Sequence, residues 1–308
     1  MALLDRYRQQ VALLIRALPF VAKEPDFALK GGTAINLFVR DMPRLSVDID
    51  LTYLPVQDRP TSLAAIDAAM KRTAARITNG IPGTQVAESL LQPEGIVTKL
   101  VVRSGGTQVK IEVTPVLRGC VYEPVLSTVS PAVEDAFGFA EMRIISFADL
   151  YAGKIVAALD RQHPRDLFDV RTLLANEGVS DELRRAFIVY VLSHDRPIAE
   201  VLAPTRKPLA DEFRRGFEGM TSDQVTLADL EATREALIAT MVGHMPDEHR
   251  RFLLSFKRGA TDWTLLGIPN AQDLPAVKWK QHNLEALSPE KRIALALKLE
   301  QVLFHTDV

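Results

Sequence analysis

Two neighbouring stretches decide the fold: Lys30-Gly31-Gly32-Thr33-Ala34-Ile35-Asn36-Leu37-Phe38, and, a few residues on, Val47-Asp48-Ile49-Asp50-Leu51-Thr52-Tyr53. Phe27-Ala28-Leu29-Lys30 reads as a short strand that runs into paired glycines and then a helical stretch. Gly31 and Gly32 at such a turn let backbone N–H groups approach an anion, and a helix N-terminus favours phosphate. Thr33 can add a hydroxyl donor to that cradle. Taken alone, an ordinary strand-to-helix turn explains the same residues. Val47 to Tyr53 alternates apolar and polar, the period-two pattern of a half-buried strand. Val47, Ile49 and Leu51 then enter the core while Asp48 and Asp50 leave together from the opposite face. Two carboxylates held side by side repel unless a cation lies between them. A hard ion such as Mg²⁺ takes one or two carboxylates plus substrate phosphates. A strand with a solvated acidic face is the plain alternative.

Working outward, strand and helix signals alternate through the first half of the chain. Leu3, Leu4, Tyr7, Val11, Leu14, Ile15 and Leu18 recur at helical spacing and predict a first helix that stops at Pro19. A second amphipathic helix is expected from about Thr61 to Ile77. Ile96–Val102 and Val109–Val113 are β-branched runs joined by a turn containing Gly105-Gly106, which predicts a hairpin. In its second arm Lys110 and Glu112 share one face and Ile111 and Val113 the other, so Glu112 is a candidate third carboxylate and Lys110 a candidate phosphate-neutralising cation. A cross-strand ion pair explains Glu112 equally well. Met142–Ile145 reads as a strand leading into a helix capped by Ser146, and Pro164 is well placed to start another.

From Asp181 onward the pattern is helix after helix, punctuated by Pro197, Pro204, Pro208, Pro246 and Pro275. The expected architecture is α/β: a small mixed sheet flanked by helices over residues 1–177, then a helical bundle over residues 178–308.

Composition narrows the classes of function. The 308 residues carry a net charge of −2, so no global basic field advertises nucleic-acid binding, although a local patch can still do so. The 47% hydrophobic content suits a soluble globular chain and excludes disorder. The lone Cys120 rules out an internal disulfide, suits a reducing cytoplasm and reads as a small buried hydrophobe. Charged residues break up the N-terminal apolar stretch, so no signal-peptide core is expected, and no run is long enough for a membrane span. A cytoplasmic protein is the expectation.

Two further motifs carry charge into apolar surroundings. Lys154 lies among Ile155, Val156 and Ala158, where a lysine ordinarily snorkels to solvent but can instead serve as a point charge for phosphate. Asp166 and Asp169 are three apart on the next helix and share a face, with an Arg165–Asp169 ion pair as the plain reading of Asp169.

Together, Gly31-Gly32-Thr33, Asp48-Ile49-Asp50 and Lys110-Ile111-Glu112 resemble the signature of the DNA polymerase β-like nucleotidyltransferase superfamily. Lys154, in Leu150-Tyr151-Ala152-Gly153-Lys154, together with Arg165-Asp166-Leu167-Phe168-Asp169, narrows the resemblance to the AbiEii/AbiGii (MenT-like) toxin family. Trp279-Lys280-Gln281-His282-Asn283 is similar to that family's last helices. Asp149 is a departure, since the family often has Glu there.

The resemblance implies a nucleotidyltransferase-type sheet and an enzyme that moves a nucleoside monophosphate from an NTP to an acceptor with release of pyrophosphate. It implies Mg²⁺, with Mn²⁺ as a substitute, held by Asp48, Asp50 and Glu112. Lys154 and Asp166 are implied as further catalytic residues, and Gly31, Gly32, Thr33, Lys110, Lys154 and Asp169 as nucleotide-binding ones. The implied acceptor is the 3′ end of tRNA and the implied partner an antitoxin encoded nearby. A protein or small-molecule acceptor, such as an antibiotic, and a non-catalytic nucleotide-binding module are the alternatives. Arg184-Arg185, Arg206-Lys207, Arg214-Arg215, Arg250-Arg251, Lys257-Arg258 and Lys278-Trp279-Lys280 are candidate contacts to an RNA backbone, with Trp279 either a stacking platform or a core residue.

Overall fold

The computed structural model describes residues 2–304, and the side chains of Leu3 and Leu4 lie outside the described residues. The chain divides into two compact units, residues 1–146 with 218–223, and residues 147–217 with 224–308.

The first unit is built on seven strands: β1 (Phe27–Lys30), β2 (Asp48–Tyr53), β3 (Gln85–Leu91), β4 (Ile96–Ser104), β5 (Thr107–Arg118), β6 (Val125–Thr128) and β7 (Glu141–Ile144). Their order in the sheet is β3-β4-β5-β2-β1-β7-β6. β2 runs parallel to β5 and β1 parallel to β7, while the other pairs are antiparallel, so the sheet is mixed. Its helices are α1 (Ala2–Val21), α2 (Gly31–Ala34, continued by a π-helical turn over Ile35–Val39), α3 (Arg59–Gly80) and α4 (Pro131–Phe137).

Helix α1 passes through Pro19, where the sequence predicts a stop, and ends at Val21. Pro19 forfeits one intrahelical bond near the C-terminus, but Leu18 and Val21 are fully buried and hold the last turn in place. Helix α3 begins where Asp58 accepts a bond from the Thr61 N–H, with Pro60 in the first turn.

Both long helices pack on the sheet, α1 against β5 and β7 and α3 against β3, β4 and β5. Cross-strand rows such as Leu29–Leu51–Val113 and Ile49–Ile111–Leu100 form the core, each residue at most 1% exposed. Truncating one of these side chains to Ala costs about 2–5 kcal/mol. Residues 218–223 join this unit because the Leu45 N–H donates to the Met220 carbonyl (2.7 Å) and Thr221 Oγ1 donates to the Pro43 carbonyl (2.7 Å). Cys120, expected to be buried, is half-exposed just beyond the end of β5.

The second unit is helical: α5 (Phe147–Asp160), α6 (Pro164–Asn176), α7 (Asp181–Ser193), α8 (Ile198–Leu202), α9 (Ala210–Gly216), α10 (Leu227–Ile238), α11 (Asp247–Arg258), α12 (Pro275–Glu285) and α13 (Pro289–Phe304). Helix α5 is apolar on nearly all sides and packs against α6, α7, α8 and α10, which makes it the centre of the unit. Gly153 permits the close approach of α7: a Cβ there stands 3.2 Å from the Tyr190 ring. The compact units therefore part at Ser146 rather than near 177. Helices α5 and α6, grouped with the sheet in the sequence reading, bury their apolar faces among the later helices. Among the described residues, no helix is long and apolar enough to cross a membrane.

Candidate functional site

In the first unit, strand register sets the site. Because β2 and β5 are parallel with Asp48 opposite Lys110 and Asp50 opposite Glu112, these four side chains leave the face opposite the Ile49–Ile111 core row. Antiparallel pairing extends the row at both ends, Lys30 facing Asp50 and Lys99 facing Glu112. Lys30, Asp50, Glu112 and Lys99 thus line up across four strands, two neighbouring acids flanked by two lysines. Glu112 Oε2 lies 3.3 Å from Lys99 Nζ, so the plain ion-pair reading of Glu112 is present in the structure. Lys30 Nζ donates to Thr114 Oγ1 at 3.1 Å. Burial lowers the proton affinity of Lys30, and the Asp50 and Glu112 carboxylates offset part of that.

The glycine pair is set against these carboxylates by sterics. Gly31 has φ +72°, and a Cβ on it stands 2.8 Å from Asp50 Oδ2. Only a residue without a side chain accommodates both the left-handed backbone and the carboxylate. A Cβ on Gly32 meets Arg44 Nη2 at 2.8 Å and Ser46 Oγ at 3.0 Å.

Thr33, expected to offer its hydroxyl to a ligand, is 1% exposed and uses it internally. Its Oγ1 donates to the Asp48 carbonyl and lies 3.0 Å from Ser46 Oγ, fastening α2 to β2. The buried Arg44 donates from Nη1 to the Leu45 carbonyl at 3.0 Å.

The paired acids on β2 are hard oxygen donors, a set that fits Mg²⁺ or Mn²⁺. Among the described residues, however, the group whose ligand atoms all lie within 4.8 Å of one another is Asp181, Glu248 and His249, not Asp48, Asp50 and Glu112.

In the second unit, Lys154 and the Asp166–Asp169 pair form one buried cluster. Lys154 Nζ reaches Asp166 Oδ1 at 2.8 Å and Asp169 Oδ2 at 3.0 Å, with the lysine side chain 6% exposed and each aspartate 1%. Lys154 therefore does not snorkel, and Asp169 pairs with it across two helices. Arg161, in the turn after α5, adds Nε to Asp166 Oδ2 (2.5 Å) and Nη2 to Oδ1 (3.0 Å). Burial alone raises the Asp166 pKa, but the Lys154 charge and the Arg161 hydrogen bonds outweigh it and hold the carboxyl far below the usual range. Asp149, fully buried one turn before Lys154, accepts the Tyr190 hydroxyl at 3.1 Å.

Sequence reasoning did not pick out Lys30, Arg44, Ser46, Arg161 or Tyr190 as parts of these clusters. Lys30 had a signal in its place beside the glycine pair, but its pairing with Asp50 follows only from the strand register.

The basic clusters of the helical unit are largely committed within it. Arg184 donates to the Thr240 and Met241 carbonyls, and Arg250 to those of Met245 and Gly243. Lys280 donates to the His194 (2.6 Å) and Arg196 (2.8 Å) carbonyls, and burial pushes its pKa down to about 8. Arg214, Arg215 and Lys278 are exposed. So is Trp279, at 60%, with its ring stacked 5.9 Å from that of His282, which removes the core reading of this tryptophan.

No curated protein sequence matches the chain. One solved structure, MenT4, a nucleotidyltransferase toxin from Mycobacterium tuberculosis H37Rv, is similar with a TM-score of 0.58 and 16% identity, over 92% of this chain and 98% of that one. At that identity the likeness speaks to the fold, a mixed sheet joined to helices. The family model described as nucleotidyl transferase AbiEii toxin, type IV TA system, matches residues 12–282, so the chain belongs to the AbiEii family of nucleotidyltransferase toxins.

Proposed function

We propose that this toxin transfers a nucleoside monophosphate from an NTP to the 3′ end of tRNA, releasing pyrophosphate and blocking translation. The observation that carries the reading is the placement of Asp48, Asp50 and Glu112 on one sheet face, with Gly31 pressed against the Asp50 carboxylate. In the proposed reaction the 3′-oxygen forms a bond to the α-phosphorus while the bond to the pyrophosphate oxygen breaks. The 3′-hydroxyl proton passes to a carboxylate, for which Glu112 is suited by its half-solvated position. Asp48 and Asp50 are the residues that would hold Mg²⁺ or Mn²⁺, and the bound ion supplies neutralising charge for the triphosphate and a more acidic hydroxyl.

The backbone of Gly31 and Gly32, with Lys110, is assigned to the phosphates, since the Thr33 hydroxyl already has an internal acceptor. The Lys154–Asp166–Asp169 cluster is proposed as the second part of the machinery. There Asp166 and Asp169 fix the lysine ammonium in one position between two carboxylates. Exposed Arg214, Arg215, Lys278 and Trp279 are the proposed tRNA contacts. A neighbouring antitoxin is the expected partner, and the cytoplasm, where NTPs and tRNA occur together, is the proposed location.

The test is incubation of purified protein with labelled NTPs, Mg²⁺, and separate pools of tRNA, tRNA with a blocked 3′ end, total protein and aminoglycoside. Label in intact tRNA alone supports the reading. Label in protein or drug moves the acceptor to one of those classes, and NTP binding without pyrophosphate release makes the chain a binding module.

A further inference from the structure

We propose that Asp181, Glu248 and His249, remote in sequence from the carboxylates of the sheet, form a binding site for a borderline divalent ion of the Zn²⁺ class. The site would tie the first turn of α7 to the first turn of α11 within the helical unit. His249 is 0% exposed, yet neither Nδ1 nor Nε2 has a hydrogen-bond partner. Buried polar atoms are almost always paired, because one left unpaired keeps its full desolvation penalty. An imidazole with both nitrogens unused is therefore an uncommon expense unless a ligand uses one of them.

The neighbours supply the rest of a coordination set. Asp181, Glu248 and His249 each offer a ligand atom within 4.8 Å of the other two. Glu248 Oε1 is 3.7 Å from His249 Nε2, too long for a hydrogen bond. A tetrahedral ion with bonds of about 2.0–2.2 Å holds its ligands about 3.4 Å apart, so the carboxylates must draw in by about an ångström. Exposure leaves room for this, the Asp181 and Glu248 side chains being 61% and 51% exposed, although Asp181 Oδ2 is also held by Arg185. Three protein ligands and solvent access leave the fourth position for water.

Ligand chemistry selects the class of ion. A neutral imidazole nitrogen is the form that a metal binds. Imidazole nitrogen beside two carboxylates suits Zn²⁺ better than Mg²⁺, which prefers oxygen and its own waters. Electrostatics reinforce the choice. Arg185 Nε already binds Asp181 Oδ2 at 2.7 Å, and both acids lie in first helical turns, where the helix dipole is positive. A purely electrostatic ion gains little there, whereas one that bonds the imidazole gains the nitrogen.

The experiment is Zn²⁺ titration of the full chain carrying Asp48→Asn and Asp50→Asn, so that the sheet carboxylates contribute nothing. Calorimetry gives the stoichiometry and Kd, and substitution by Co²⁺ gives the visible band of a tetrahedral nitrogen–oxygen site. One equivalent should bind and raise Tm, with the gain removed by a chelator. Glu248→Gln should weaken binding at least about tenfold, and Arg185→Gln should strengthen it by removing the competitor for Asp181. Glu248 is half-exposed, so Glu248→Gln spares the core, unlike His249→Gln. Arg185→Gln also gives up the bond from Nη1 to the Leu266 carbonyl, so its Zn²⁺ affinity is read against its own metal-free Tm. Absence of a stoichiometric site, or a Kd unmoved by Glu248→Gln and Arg185→Gln, overturns the proposal.

Discussion

Replacing Lys154 by Met keeps the length and apolar stem of the side chain and removes only the ammonium. In the structure that ammonium lies 2.8 Å from Asp166 and 3.0 Å from Asp169, all three side chains at most 6% exposed. Its loss leaves two carboxylates in one buried pocket with Arg161, itself 61% exposed, as the remaining cation on Asp166. Breaking a buried charge set by removing one partner costs about 3–5 kcal/mol, a large part of the roughly 5–15 kcal/mol that holds a domain folded.

The pH dependence carries the sharper test. In the native protein the Asp166 pKa is lowered, so its stabilisation is complete above the unfolded value near 3.9 and is lost as pH falls below that. Each unit of depression is worth about 1.4 kcal/mol. In Lys154→Met two adjacent carboxylates cannot both stay ionised, so one has its folded pKa raised above the unfolded value. Stability is then fully present below about pH 4 and declines as pH rises through the raised pKa. Urea unfolding of both proteins at several pH values between about 4 and 8, followed by circular dichroism, reads the two slopes. Buried His163 and His249 give both proteins the same rise toward neutral pH. The signature is therefore the difference between them, which should widen toward neutral pH as the variant loses ground. Equal stability within about 0.5 kcal/mol and parallel pH profiles would refute the reasoning, because they describe a lysine solvated rather than held between acids.

Other outcomes follow from the same structure. Asp48→Asn and Asp50→Asn should each abolish nucleotidyl transfer while circular dichroism and Tm stay near the native values, because both side chains are half-exposed on the non-core face of β2. Gly31→Ala should lose about 1–2 kcal/mol to left-handed backbone strain and, by pushing the Asp50 carboxylate aside, most of the activity, measured by unfolding and labelled-NTP assay. Lys280 titrates near 8, below the roughly 10.4 of an unfolded lysine, so stability should climb as pH passes between those values. Lys280→Met should flatten that climb in a pH series of melts. Arg214→Ala with Arg215→Ala should weaken tRNA binding and reduce its salt slope by about 1–2, read by filter binding across a salt series, while NTP affinity is unchanged.

What the sequence made legible divides along a physical line. Strands with one buried face announce themselves by alternation. β2, with Ile49 and Leu51 inside, and β5, with Val109, Ile111 and Val113 inside, were both readable, as was the hairpin turn at Gly105-Gly106. Strand β3 was not, because Gln85–Leu91 lies at the sheet edge with most of its side chains in solvent and so carries no period-two signal. β6, four mostly exposed residues on the opposite edge, escaped for the same reason.

The parts of the candidate site followed the same rule. Asp48 and Asp50 share a face by local geometry alone, but the Lys30–Asp50–Glu112–Lys99 row needs three strand registers, none of which a single strand encodes. Lys154 shows why an apolar context is ambiguous: the same neighbours suit a lysine that escapes to water or one that is buried with partners. The partners, Asp166 and Asp169, were visible as a helical pair, yet their charge reaches Lys154 only because α6 packs against α5. The basic doublets of the helical unit mislead in the opposite direction. Arg184, Arg250 and Lys280 look like surface charge, but they satisfy carbonyls that loops and π-helical turns leave without helical partners, a use that composition cannot distinguish from nucleic-acid binding. Trp279, by contrast, is an aromatic in water with exposed Lys278 beside it, and there the case for an RNA contact rests on the exposed ring rather than on the count of charges.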